Sequence, residues 1–371
     1  MSVLTKQISM PRLSAPRLRK PARGAQTSRG KAGVTGLEIG ITQAIAAQAR
    51  VQDGRIVAQR VVARTLPLGL MRDGLVVDSD RLASELKQFF AEHRLPKRVR
   101  VGLATPRTVM RVIDLPPLEE KDVKAALMMQ AQERIPMPLD SAVMDWQTVG
   151  LVDTPDGQRL RVIAVATERE GVDRLLATLR SAGLKPEGID LSIFAAIRAL
   201  RVDRVHGPVL YAQLGDLVNI AIAEAGVCRF TRQAPQGLAL VIERLAENLA
   251  IPSDEAYALV QGAGAGLPGS DQSKEQLALV DVLDRVAAEL GSELRAAAEF
   301  YSSQLGSGLV TAGVVAGPLA PLPGFVEALS AASGLELTCG EAAVASADAL
   351  EDVDARVAPV ASGLAVGELD S

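Results

Sequence analysis

The chain has 371 residues, 40 Lys plus Arg against 44 Asp plus Glu, two cysteines, two histidines and one tryptophan. That length supports two or three domains, and 48% apolar with 23% charged residues is the composition of a folded globular protein rather than a disordered one. Cys228 and Cys339 are too far apart for a disulfide framework or a Cys-x-x-Cys metal site and read as small buried apolar residues, while His93 and His206 alone disfavour a histidine metal centre or a Ser/His/Asp triad.

The first 37 residues carry eight basic side chains (Lys6, Arg12, Arg17, Arg19, Lys20, Arg23, Arg29, Lys31) and no acid. Taking that +8 from the net charge of −4 leaves −12 on residues 38–371. An acidic body has no broad attraction for nucleic acid, so none is expected as a partner. Arg, Pro, Ser and Gly interrupt the arm too often for a secretory signal. Residues 1–32 read as a flexible basic arm, and residues 6–31 either as a plain tail or as a tether to an anionic membrane surface, at ~1 kcal/mol per basic residue. No transmembrane span is expected, because Gly308–Gly324, the most apolar stretch, holds three prolines.

Strands are expected at Val34–Ile41, Ala44–Val51 and Ile56–Ala63, with Asp53-Gly54 as a two-residue hairpin turn. A helix at Arg81–His93 carries Leu82, Leu86, Phe89 and Phe90 on one face and has Asp78 to Asp80 available as its cap, and a short buried strand follows at Val99–Ala104. The rhythm then changes: a strand at Val109–Asp114, a helix at Glu119–Arg134, strands at Met144–Val149 and Leu160–Ala166 around Pro155-Asp156-Gly157, and a helix at Glu170–Ala182 stopped by Gly183. The chain returns through Ile193–Leu200. Three strands (Val209–Leu214, Leu217–Ala223, Val227–Thr231) and a helix (Gln236–Ala250) then repeat the opening order. A glycine-rich linker at Gln261–Ser270, a long helix at Lys274–Gln304 that reads as core rather than coiled coil, a strand at Leu309–Gly313 and helices at Leu322–Ser333 and Val357–Val366 complete the chain.

The repeat predicts a duplicated α/β fold in which each copy opens on a glycine turn: Glu38-Ile39-Gly40-Ile41-Thr42 and Gln213-Leu214-Gly215-Asp216. Two such hairpins facing across a cleft can offer backbone N–H groups to a phosphate, with an acidic residue to hold a metal-bound water. A tight turn needing an unusual φ is the structural alternative for each.

Arg111-Val112-Ile113-Asp114-Leu115-Pro116, the helix end Glu133-Arg134-Ile135-Pro136-Met137-Pro138, and Ala182-Gly183-Leu184-Lys185-Pro186 before Ile189-Asp190 resemble the PilM family of type IV pilus assembly proteins, in the FtsA-like branch of the actin-like ATPases. The resemblance runs over residues 34–371. It implies an actin-like (ribonuclease H-like) two-lobe fold, with residues 33–105 plus 190–205 as the first lobe and 106–189 as an inserted SHS2-like α+β subdomain beside it. Residues 206–371 form the second lobe, with 253–304 as its helical subdomain. It also implies a cytoplasmic scaffold peripheral to the inner membrane, docking the cytosolic tail of a PilN-like protein between first lobe and subdomain, with other pilus components and a second copy of the chain as further partners.

On the Glu119–Arg134 helix, Val123, Leu127 and Ala131 make one stripe and Met128 and Met129 widen it, so these five are the expected partner face, or else the helix is buried on two sides. For ATP, the resemblance points to Glu38, Gly40, Thr42, Gln213, Gly215 and Gly313. The family pattern has an aspartate where this chain has Glu38 and again where it has Gln213, a hydroxyl at Ile41 and a lysine at Ile45. Asp216 puts negative charge beside a phosphate position, and Val314 and Val315 place branched side chains where the backbone must approach a base. The expectation is a degenerate nucleotide site without turnover, no catalytic residues and no bound metal. The alternatives are an active ATPase or kinase of the same superfamily using Glu38, Thr42 and Asp216, and a cytoplasmic platform component of type II secretion.

Overall fold

The computed structural model describes residues 33–154, 157–200, 207–264, 273–304 and 307–367. The basic arm, the Pro155-Asp156 turn, His206 and most of the glycine-rich linker lie outside the described residues.

The first lobe begins with β1 (Thr35–Ile39), β2 (Gln43–Gln52) and β3 (Arg55–Thr65), antiparallel in sequence order. Asp53 and Gly54 both take positive φ, 50° and 76°, as a two-residue hairpin requires. After the short pair β4 (Met71–Arg72) and β5 (Leu75–Val76) comes α1 (Ser79–Glu92), whose first turn is capped by Asp78 accepting from the Arg81 N–H at 3.0 Å. Its apolar stripe is buried against the sheet, and β6 (Arg98–Leu103) returns parallel to β1.

The insertion consists of β7 (Thr108–Leu115), α2 (Glu120–Arg134), β8 (Ala142–Thr154) and β9 (Gly157–Glu168), with sheet order β7-β9-β8. It is shorter than the 106–189 the sequence suggests. The next helix, α3 (Arg169–Ser181), packs Val172, Leu175, Leu176 and Leu179 into the first lobe's core, and β10 (Lys185–Leu191), unexpected as a strand, pairs with β6. Pro186 and Gly188 interrupt β10, and the charged Glu187 and Asp190 break up its apolar residues, so no strand signal stands out. The connecting helix α4 (Ser192–Ala199) leads to the second lobe.

That lobe repeats the pattern with β11 (Pro208–Leu214), β12 (Val218–Glu224) and β13 (Val227–Ala234), the last two joined by Ala225-Gly226 at φ 51° and 78°. Then follow α5 (Leu238–Leu249), α6 (Ser253–Gly264), α7 (Lys274–Ser302), β14 (Ala312–Ala316), α8 (Phe325–Ser333), β15 (Glu336–Cys339), β16 (Ala343–Val344) and α9 (Pro359–Val366). The sheet orders β10-β6-β1-β2-β3 and β15-β14-β11-β12-β13 match strand for strand, with the same parallel and antiparallel pairings. This is the two-lobe, duplicated actin-like fold. In α7 the buried positions are Leu279, Val282, Leu283, Val286, Ala287 and Leu290 onward, whereas Leu277 is exposed. Cys228 is buried and Cys339 is exposed, so only the first fits the reading of both as core residues.

The second lobe does not run to the C-terminus. β16 pairs with β3, and α9 lies on β1 and β2 of the first lobe and against α4. A Cβ on Gly36 would stand 1.9 Å from the Ala361 carbonyl oxygen, and one on Gly363 would stand 2.0 Å from that of Ala195, so α9 is seated backbone to backbone. The insertion in turn spans both lobes. One face of its sheet (Ile113, Leu115, Val162, Ala164) takes Val123 and Leu127 of α2, and the other (Met110, Ile163) joins Ile193, Phe194 and Ile197 of α4 and Tyr211 and Ala221 of the second lobe.

Candidate functional site

The two glycine turns face each other across the seam between the lobes. β1 ends one residue after Glu38, and the loop tightens so that the Gly40 N–H donates to the Gln43 carbonyl at 2.8 Å. Opposite it, Gln213 near the end of β11 donates through Nε2 to Glu38 Oε1 at 2.8 Å, and the Ile41 N–H donates to Asp216 Oδ2 at 2.7 Å. Tyr257 on α6 lies beside Thr42, its hydroxyl accepting from Gln261 Nε2 at 2.8 Å. Ile41 packs against the cores of both lobes. Two hydrogen bonds and one apolar side chain therefore join the lobes at the two glycine turns.

Behind Gln213 the polar chain continues. Asn219 Nδ2 donates to Gln213 Oε1 at 2.7 Å, and Gln233 Nε2 donates to Asn219 Oδ1 at 2.8 Å. Gln213 and Asn219 are 5% and 4% exposed, so these bonds replace water that cannot reach them. Sequence reasoning missed Asn219, Gln233 and Tyr257. The available signal was Asn219 itself, a polar residue inside the apolar run Val218–Ala223.

The surface Glu38 retains faces a cavity of only about 50 Å³. Burial and the neighbouring Asp216 charge push the Glu38 carboxyl up to about 8, despite the opposing hydrogen bond from Gln213. Burial likewise raises Asp216 to about 6, against the lowering effect of the Ile41 N–H. At neutral pH Glu38 is therefore largely a neutral acid, a poor holder of metal-bound water.

Ligand pockets usually enclose roughly 300 Å³ or more, so this cavity, about 50 Å³, holds a water or two and not a nucleoside triphosphate as the cleft stands. The loop amides are also engaged: beyond Gly40 and Ile41, the first N–H groups of α5, Leu238 and Ala239, donate to the carbonyls of Gly215 and Asp216. The residues present do not fit a magnesium nucleotide in this arrangement. Among the described residues no group of three or more His, Cys, Asp or Glu is placed to hold a metal ion.

Of the six nucleotide candidates, Glu38, Gly40, Thr42, Gln213 and Gly215 line this cavity together, and Gly313 does not. Gly313 sits near the start of β14, paired with Leu210 and Leu337. The C-terminal end of that strand reaches the cleft through Gly317, at φ 119°, and Pro318, which lines the cavity. Val314 and Val315 are strand core, not loop residues that would meet a base. The strand lies three residues further on than the expected Leu309–Gly313, which places Gly313 inside it and Gly317 just after it.

A second cavity, about 310 Å³, opens where the insertion, the first lobe and the second lobe converge. Thr108 to Arg111 of β7 line one side and Thr231 to Gln233 of β13 the other, with Leu103 and Leu191 of the first lobe between. Both strands are edges of their sheets. Asn219 and Gln233, the far end of the polar chain from Glu38, also line it.

The expected partner face on α2 is mostly turned inward. Val123, Leu127 and Ala131 are at most 3% exposed and form the insertion's own core, because its small sheet needs a covering helix. Met128 and Met129 are exposed at 36% and 70%, on the side away from α4, and so do not line the seam between the insertion and the lobes. Among the described residues no helix is long and apolar enough to cross a membrane.

The profile of the family described as Type IV pilus assembly protein PilM matches residues 36–344. The fold is similar to the solved structure of a PilM-PilN type IV pilus biogenesis complex, at TM-score 0.75 and 24% identity over 90% of this chain and 97% of that one. It is also similar to the ethanolamine utilization protein EutJ from Carboxydothermus hydrogenoformans, at TM-score 0.54 and 17% identity over 90% and 89% of the two chains.

Proposed function

The chain belongs to the type IV pilus assembly protein PilM family, and we propose that it is a non-hydrolysing scaffold of pilus assembly that grips the cytosolic tail of a PilN-like membrane protein. On this reading the protein works in the cytoplasm at the inner membrane, held there by its partner.

The observation that carries the reading is the cavity of about 310 Å³ between β7 and β13. Two sheet edges, one on either side, suit an extended peptide that adds a strand to one of them, while apolar residues such as Val109 and Leu191 take alternate side chains. A pocket formed by three parts of the chain also gives the insertion a reason to span both lobes. The absence of turnover rests instead on the cleft between the glycine turns: phosphoryl transfer depends on positioned phosphates and an ionised metal site, whereas Glu38 accepts from Gln213 and is largely protonated at neutral pH.

The test is a labelled peptide of the organism's PilN-like cytosolic tail, titrated by fluorescence anisotropy against the full chain. Val109→Arg, which fills the cavity, is expected to weaken binding at least ~10-fold, and Met129→Glu on the outer face of α2 to leave it within ~2-fold. The reverse ranking would move the tail to α2 and refute this placement.

A further inference from the structure

In a nucleotide-binding cleft of this architecture, the loop after the first strand and the turn after its counterpart in the other lobe point backbone N–H groups at an oxyanion. Here an oxyanion is already present, supplied by the chain. Asp216 Oδ2 accepts the Ile41 N–H at 2.7 Å, and a Cβ on Gly40 would stand 3.1 Å from the same oxygen, so the first loop wraps closely on the carboxylate. On its other side Asp216 is fixed by its own backbone: its carbonyl accepts from Ala239 at the start of α5, and a Cβ on Gly237 would stand 2.2 Å from that oxygen. The carboxylate therefore belongs rigidly to the second lobe while its charge is spent on the first.

We propose that Asp216 is a built-in oxyanion, standing where a phosphate-class ligand would bridge the two glycine turns, and that it locks the lobes closed with no ligand bound. A carboxylate and a phosphate oxygen accept the same charge-assisted bonds from backbone N–H groups. Ile41 completes the lock with apolar contacts to the cores of both lobes. The scaffold is thus held in one conformation by sequence rather than by nucleotide. This inference does not depend on the pilus reading, and tail-peptide binding measured separately bears on that reading alone.

The experiment is hydrogen exchange by mass spectrometry on the full chain, comparing the native protein with Asp216→Ser and with the isosteric Asp216→Asn, each with and without millimolar inorganic phosphate or Mg-ATP. Exchange over residues 38–45 is expected to rise about tenfold in Asp216→Ser and less in Asp216→Asn, while α7 stays protected. Either phosphate or Mg-ATP is expected to restore protection in the variants, the two ligands showing whether an oxyanion suffices or a nucleotide is needed, and neither to alter the native protein. Unchanged exchange in both variants would overturn the proposal. So would protection of the native protein by either ligand, or a rise in exchange that no phosphate-class ligand reverses. If the serine variant does not fold, the asparagine variant alone decides by the same criteria.

Discussion

Replacing Glu38 by Gln tests the electrostatics of the cleft directly. Its carboxyl rises from 4.5 to about 8 in the folded protein, chiefly through burial. A folded-state value above the unfolded one means that the folded protein binds this proton more tightly. The associated stability is therefore full below about pH 4.5 and is lost as pH rises through about 8. At ~1.4 kcal/mol per unit the whole shift corresponds to about 5 kcal/mol, and halving it for relaxation and for water in the small cavity leaves about 2 kcal/mol. Asp216, raised from 3.8 to about 6, adds a smaller loss in the same direction over a lower pH range. The amide introduced by Glu38→Gln keeps an oxygen to accept from Gln213 and has nothing to titrate. Urea denaturation at intervals from pH 5 to pH 9 should show the native protein losing at least ~2 kcal/mol more than Glu38→Gln, with the two curves diverging most between pH 6 and 8. Titrating groups remote from Glu38 are common to both proteins and cancel in the difference, and what remains is the titration of Glu38 and its coupling to Asp216. Parallel curves would mean that Glu38 ionises freely and that the cleft is wetter than its geometry implies.

Asn219→Ala breaks the buried chain in the middle, leaving Gln213 Oε1 and Gln233 Nε2 without those partners, and is expected to lower the unfolding free energy by ~2–4 kcal/mol in urea denaturation. A loss under ~0.5 kcal/mol would show that water replaces the amide. Gly36→Ala, whose Cβ would collide with the Ala361 carbonyl 1.9 Å away, should lift α9 off the first lobe at a cost of ~3 kcal/mol or more. Limited proteolysis should then cut near residue 358 well before the native chain is cut anywhere in α9. Arg198→Met strands Asp190, the partner of a largely buried ion pair, and should cost ~3 kcal/mol, whereas replacing both residues by apolar ones should cost less.

Much of the fold was legible because its signals are local. Alternating apolar residues, Asp53-Gly54, Ala225-Gly226 and the Asp78 cap each fix a strand, a turn or a helix start within a few residues, and the repetition of three strands and a helix exposed the duplication. β10, β15 and β16 were not legible, since each pairs with a strand distant in sequence, β15 and β16 are short, and Pro186 and Gly188 interrupt β10. The same limit explains the insertion's overestimated length and the unexpected return of α9 to the first lobe. In the cleft, Glu38, Gly40, Thr42, Gln213 and Gly215 were grouped by the family resemblance, and the fold brings them to one cavity.

The repeated order of strands and helix specified a duplicated α/β fold, and the resemblance of short motifs to a known family supplied the two-lobe architecture and the departure of the two glycine turns from that family's phosphate-binding pattern. Where those residues lie and what they touch was decided by tertiary contacts. Asp216 meets Ile41 across 175 positions of chain, Gln213 meets Glu38 across the same separation, and α2 spends Val123, Leu127 and Ala131 on its own sheet. Contacts of that range depend on how the lobes close, and neither propensity nor periodicity carries that information.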